Sequence, residues 1–224
     1  MKALWLALAL ALSAPPLRAF VAQDVAARLE GRVPANVARA VQGIAQNAHA
    51  RGLPVEPLIE KAIEGGAKGV PGDRVISAVQ LLATRLDEAR GALRDAGIPS
   101  PSPEALESGA DALNAGLNPH QVRDLGRVSR PPQDPALTLR VAATLGALGV
   151  PAPQSVRLIE HLINAGRGQS DLLDLPNELQ VGMARGVTAA EAAEGLDRGD
   201  AVAGQQHPQE RRGHHDEEGS HRKP

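Results

Sequence analysis

Six short junctions constrain this chain more than any other feature. Each is a glycine, one aliphatic residue, and then a proline or a helix-capping residue: Gly52-Leu53-Pro54, Gly69-Val70-Pro71, Gly97-Ile98-Pro99, Gly116-Leu117-Asn118, Gly149-Val150-Pro151 and Gly186-Val187-Thr188. Glycine just past a helix enters the left-handed region without a Cβ penalty. Proline at a first helical position gives up an N–H that would have no partner there. The aliphatic residue between them can pack on the last turn of one helix and the first turn of the next. Each junction therefore predicts a tight corner between consecutive helices. Two add a capping box, Asn118 with Gln121 and Thr188 with Glu191.

The segments between corners carry helical periodicity. In the longest, expected from a cap at Asp73 to Ala96, the residues Val75, Val79, Leu82, Leu86, Ala89 and Leu93 recur at spacings of three and four. Such a stripe must be covered by other helices. A coiled-coil dimer seam is the alternative, but the stripe is too short for a sustained heptad series. Further helices are expected over 24–30, Pro34–Arg51 (Val37, Val41, Ile44 and Ala48 inward) and Pro54–Glu64 (Leu58, Ile59, Ala62 and Ile63 inward). A helix capped by Ser102 should reach Ala115, followed by Pro119–Val128, Pro135–Leu148 and Pro153–Ala165. A turn at Ser170–Leu175 should precede helices over Pro176–Arg185 and Thr188–Leu196.

Composition points the same way. The aromatics are Trp5 and Phe20 alone, both at or beside the N-terminal segment, so the core must be built from Leu, Val, Ile and Ala. That suits closely packed helices better than a sheet. The expected fold class is all-α: an irregular array of short antiparallel helical hairpins, bundle-like or solenoid-like, with one long helix near 73–96. The phrases Val33-Pro34-Ala35-Asn36-Val37 and Val70-Pro71-Gly72-Asp73-Arg74-Val75 suggest duplicated hairpins, whereas the uneven corner spacing argues against a strict repeat. The run Arg130–Pro135 cannot continue a helix and marks a possible internal boundary of the domain expected over 20–199.

The two ends read differently. Lys2 precedes an apolar run, Ala3–Ala14, closed by Pro15-Pro16. The run is shorter than the roughly 20 residues that span a bilayer, so 1–19 reads as a secretory signal peptide. Cleavage is expected after Ala19, with Ala14 and Ala22 as alternatives. The expected location is the periplasm or the exterior, and an uncleaved N-terminal anchor is the alternative. Beyond Arg198 the apolar pattern stops, and 200–224 reads as a disordered, His-containing tail.

Chemistry is sparse. Without cysteine there are no disulfides, thiolate metal sites or Cys nucleophile, and the formal charge of −2 offers no basic excess for nucleic acid or an anionic membrane. No hydrolase, zincin or phosphate-loop spacing occurs. Gly65-Gly66-Ala67-Lys68-Gly69 follows a helical pattern rather than the strand a phosphate loop needs, so it reads as a helix corner. His207, His214, His215 and His221 could bind a metal loosely, although a real site needs preorganised ligands. His49, His120 and His161 are isolated and expected at the surface. Lys61 and Lys68 flank Glu64 at helical spacings of three and four, which predicts a solvent-facing ion-pair row. With Arg74, the set Lys61, Glu64, Lys68 and Arg74 is the candidate partner-binding site. No cofactor is expected. These readings combine into an exported, bacterial-type, non-enzymatic helical protein that binds another envelope protein or serves as a scaffold. The alternatives are an enzyme, hydrolase-like, with an unrecognised site, or weak metal handling through the tail.

Overall fold

The structure, a computed structural model, describes residues 24–199, and every regular element among them is helical. The order is α1 (24–29), α2 (Ala35–Ala50), α3 (Glu56–Ala67), α4 (Gly72–Asp95), α5 (Pro103–Asn114), α6 (Pro119–Val128), α7 (Pro135–Ala147), α8 (Ala152–Asn164), α9 (Gln169–Ala184) and α10 (Ala189–Asp197). The segment expected to be a signal peptide, 1–19, and the expected tail, 200–224 with its four histidines, lie outside the described residues.

All six corner glycines take positive φ, from 64° at Gly69 to 104° at Gly116. At Gly69 the geometry is that of a Schellman ending. The N–H of Val70 donates to the Gly65 carbonyl at 2.9 Å and that of Gly69 to the Gly66 carbonyl at 3.0 Å, satisfying carbonyls the helix end would otherwise orphan. The two capping boxes form as the sequence predicts, and the Ser102 hydroxyl accepts from the Ala105 N–H at 3.2 Å.

Four local expectations are corrected. Pro71 and Pro151 occupy the N-cap, extended at ψ 135°, rather than the first helical position, and Asp73 lies in the first turn of α4 instead of capping it. The extended proline turns the chain through the corner, and the helix begins one residue later. Val70 and Val187 are 37% and 42% exposed rather than buried between the two helices, whereas Leu53, Leu117 and Val150 are buried as expected. The α3 helix continues to Ala67, three residues beyond Glu64. Finally, the turn expected at Ser170–Leu175 is part of one helix, α9, which carries Pro176 in its interior. Proline there forfeits a backbone hydrogen bond, but Leu172, Leu175 and Leu179, spaced three and four apart, are all buried. Their burial outweighs the local penalty.

The helices form two layers. In one, α2 packs on α4, α4 on α6, α6 on α8 and α8 on α10; in the other, α5 packs on α7 and α7 on α9. A single hydrophobic cluster runs from Val25 to Ala193 and includes residues on both sides of 130–135. Small residues set the closeness of the layers. A Cβ added at Gly109 of α5 would lie 2.8 Å from that of Ala89 in α4. The two phrases that resemble each other also meet: Pro34 and Pro71 are N-caps of α2 and α4, and Val37 sits over Gly72. Arg28 pairs with Glu56 and Arg51 with Asp87 at 2.9 Å, tying α1 to α3 and the end of α2 to α4.

The layering has one break. α3 packs on α2 and α4 but makes no extended contact with α5, so part of the outer face of α4 has no helix across from it. Leu82, expected in the core stripe, is only half-buried for this reason, while Ala83 is buried in its place.

Candidate functional site

The break leaves a groove of about 450 Å³ between α3 and α5, floored by α4. Its floor is Ala78, Leu81 and Leu82, at i, i+3 and i+4 of one helix face, and Leu81 is 52% exposed. Pro57, Glu60 and Lys61 line the α3 wall; Glu107, Asp111 and Asn114 line the α5 wall. The wall residues recur at spacings of three and four because each wall is a helix seen along its length.

The groove is acidic. Glu60, Glu107 and Asp111 form no ion pair with any described residue. Burial pushes the Glu107 carboxyl above the usual carboxylate range, and the neighbouring charges of Glu104, Glu60 and Asp111 push it further. Burial also raises Asp111, against the opposing pull of Arg140 and Lys61. Raised carboxylates in a partly dry groove are groups that gain from an incoming cation.

The structure divides the candidate set read from the sequence. Lys61 donates to Glu64 at 3.0 Å and Lys68 pairs with the other Glu64 oxygen, giving the solvent-facing row that the spacing predicts. Those two lysines, Lys68 first, pull the Glu64 carboxyl down to about 2. Arg74 lies exposed in the first turn of α4 and joins none of these pairs. Only Lys61 reaches the groove. Leu81, Glu107 and Asp111 carry no motif. The one signal for Leu81 is that an apolar residue falls beside the stripe of α4 rather than on it.

The five-residue glycine segment is a helix corner whose glycines serve contact between elements. A Cβ at Gly65 would lie 2.7 Å from Cγ2 of Val75, and one at Gly66 would overlap the Arg32 carbonyl oxygen and lie 2.8 Å from Cγ1 of Val33.

A second cleft, of about 390 Å³, lies between α8, α9 and α10. His161 Nδ1 lies 2.9 Å from a carboxylate oxygen of Asp197, with Arg167, Asp171 and Glu178 nearby. It offers an imidazole–carboxylate pair, but no hydroxyl or thiol among its lining residues. Among the described residues no group of three or more His, Cys, Asp or Glu side chains could hold a metal ion, and no helix is long and apolar enough to cross a membrane.

The fold and the groove define a class: a two-layered helical array with an open slot in one layer. Comparison with protein-family models, with curated proteins and with solved structures finds no match to this chain.

Proposed function

We propose that this chain is an exported, non-enzymatic protein-binding scaffold of the cell envelope. The observation that carries the reading is the uncovered face of α4. A helical array normally buries each apolar face against its neighbours, yet here Leu81 and Leu82 remain at the bottom of a slot between two helices. An exposed apolar strip within a concave surface and a polar rim is the pattern of a macromolecular contact. Export rests on Lys2, the apolar run Ala3–Ala14 and the break at Pro15-Pro16.

Two measurements test the proposal. Mass spectrometry of the protein from its native cells should give a new N-terminus between Pro15 and Gln23; an intact Met1 on a cytoplasmic species overturns the export half. For the binding half, a photo-crosslinking residue is placed at Leu81 and, in a second variant, at Leu173, which is comparably exposed at 57% but lies outside the groove. A discrete protein adduct from position 81 and none from 173 is expected. Equal labelling at both positions, or none at either, overturns the scaffold reading.

A further inference from the structure

We infer that the α3–α4–α5 groove docks a basic amphipathic helix of a partner protein, its apolar residues on Leu81 and Leu82 and its lysines or arginines between Glu60 on one wall and Glu107 and Asp111 on the other. The inference rests on the protein-binding reading and specifies the chemistry of the partner.

The shape argues for a helix. The slot between α3 and α5 presents three helices at once, α4 as floor and the other two as walls, much as α4 itself lies against α2, α3 and α5. The floor residues at i, i+3 and i+4 match the ridges of an opposing helix. A strand laid in the slot would leave its backbone groups without partners, because no described residue belongs to a sheet whose edge could pair with them.

The charge argues for basic residues. Three carboxylates without an ion-pair partner line the walls; Lys61 on the α3 wall is already held by Glu64, and Arg140, whose charge favours ionised Glu107 and Asp111, forms an ion pair with neither. The crowding falls on Glu107: beyond its own burial, Glu104, Glu60 on α3 and Asp111 on α5 all disfavour its ionisation. A cationic side chain entering the groove relieves this repulsion, whereas an acidic helix adds to it. On the docked helix, an apolar residue with basic residues three and four positions away reaches the floor and both walls at once.

The test measures fluorescence anisotropy of three labelled peptides of about 15–20 residues, long enough to form an amphipathic helix, with the purified full chain. One is a Leu/Lys/Ala peptide with apolar residues at helical spacing, the second has every Lys replaced by Glu, and the third is a scramble of the first that destroys the apolar face. The first should bind; the second and third should bind at least about tenfold more weakly, a difference of about 1.4 kcal/mol. Leu81→Gln and the double variant Glu107→Gln/Asp111→Asn should each weaken the first peptide by a similar factor. Asp174→Asn, on the exposed side of α9, should not. Urea midpoints of all variants check that the fold is kept. Equal binding of the scramble, unchanged affinity in both groove variants, or self-association that depends on Leu81 and occupies the groove each overturns the inference. If the peptides fail while the crosslink from position 81 persists, only the partner chemistry is wrong; if both fail, the scaffold reading falls as well.

Discussion

Replacing Gly66 with alanine tests whether close approach, rather than helix propensity, governs the glycines of this fold. Gly66 lies near the end of α3, against the connection between α1 and α2. An added methyl group overlaps the Arg32 carbonyl oxygen and lies 2.8 Å from Cγ1 of Val33. The first is a backbone atom and cannot rotate away, so the connection itself must shift. Overfilling a packed site costs roughly 1–3 kcal/mol, and alanine returns at most about 1 kcal/mol of helix propensity. With the full propensity gain, the expected net loss is up to about 2 kcal/mol. Gly91, in the middle of α4, provides the opposite case, because a Cβ there meets nothing within 4 Å. Gly91→Ala should gain about 0.5–1 kcal/mol. For a chain of this size each kcal/mol moves the thermal midpoint by about 2–4 °C, so the two variants should fall on opposite sides of the unaltered protein. Urea melts and calorimetry read both. If Gly66→Ala and Gly91→Ala move stability in the same direction, the packing assigned to the α3 corner is wrong.

Three further predictions concern the corners, the groove and the Glu64 ion pairs. Gly69→Val forces a β-branched residue to φ 64° and should cost about 1–2 kcal/mol, whereas the exposed Val70→Asp should cost under about 0.5 kcal/mol; urea midpoints that reverse this order would refute the corner geometry. Because folding raises the pKa of Glu107 and Asp111, their charged forms oppose folding at neutral pH; the penalty fades as pH falls through the raised folded-state range and is gone below the ordinary carboxylate range, about 4. Glu107→Gln and Asp111→Asn should therefore raise the thermal midpoint at pH 7 and give no gain near pH 3. Glu64 behaves oppositely: its contribution is present above the ordinary glutamate range and lost as pH falls towards about 2, so Glu64→Gln should slightly lower the midpoint at pH 7. A gain from Glu107→Gln at low pH but not at pH 7 would show that burial does not raise that carboxyl.

The sequence by itself determined the all-helical class, most helix boundaries and the corners. These depend on the dihedral freedom of single residues and on capping groups one to three positions away. Gly69 needs only its own lack of a Cβ, and Asn118 needs only Gln121. The ion pairs of Glu64 were legible for the same reason, since helical spacing brings Lys61 and Lys68 within reach. What failed locally failed through tertiary burial: Pro176 reads as a helix start, yet the three leucines around it carry one helix straight through. The groove was decided entirely by the tertiary structure. Leu81 and Leu82 are adjacent in sequence to the buried Ala83, and no local rule says that α3 and α5 leave the first two uncovered. Which face of a helix stays open depends on the offsets of elements distant in the chain. Those offsets are set by how closely side chains such as Ala89 and Val75 can approach glycines on other helices.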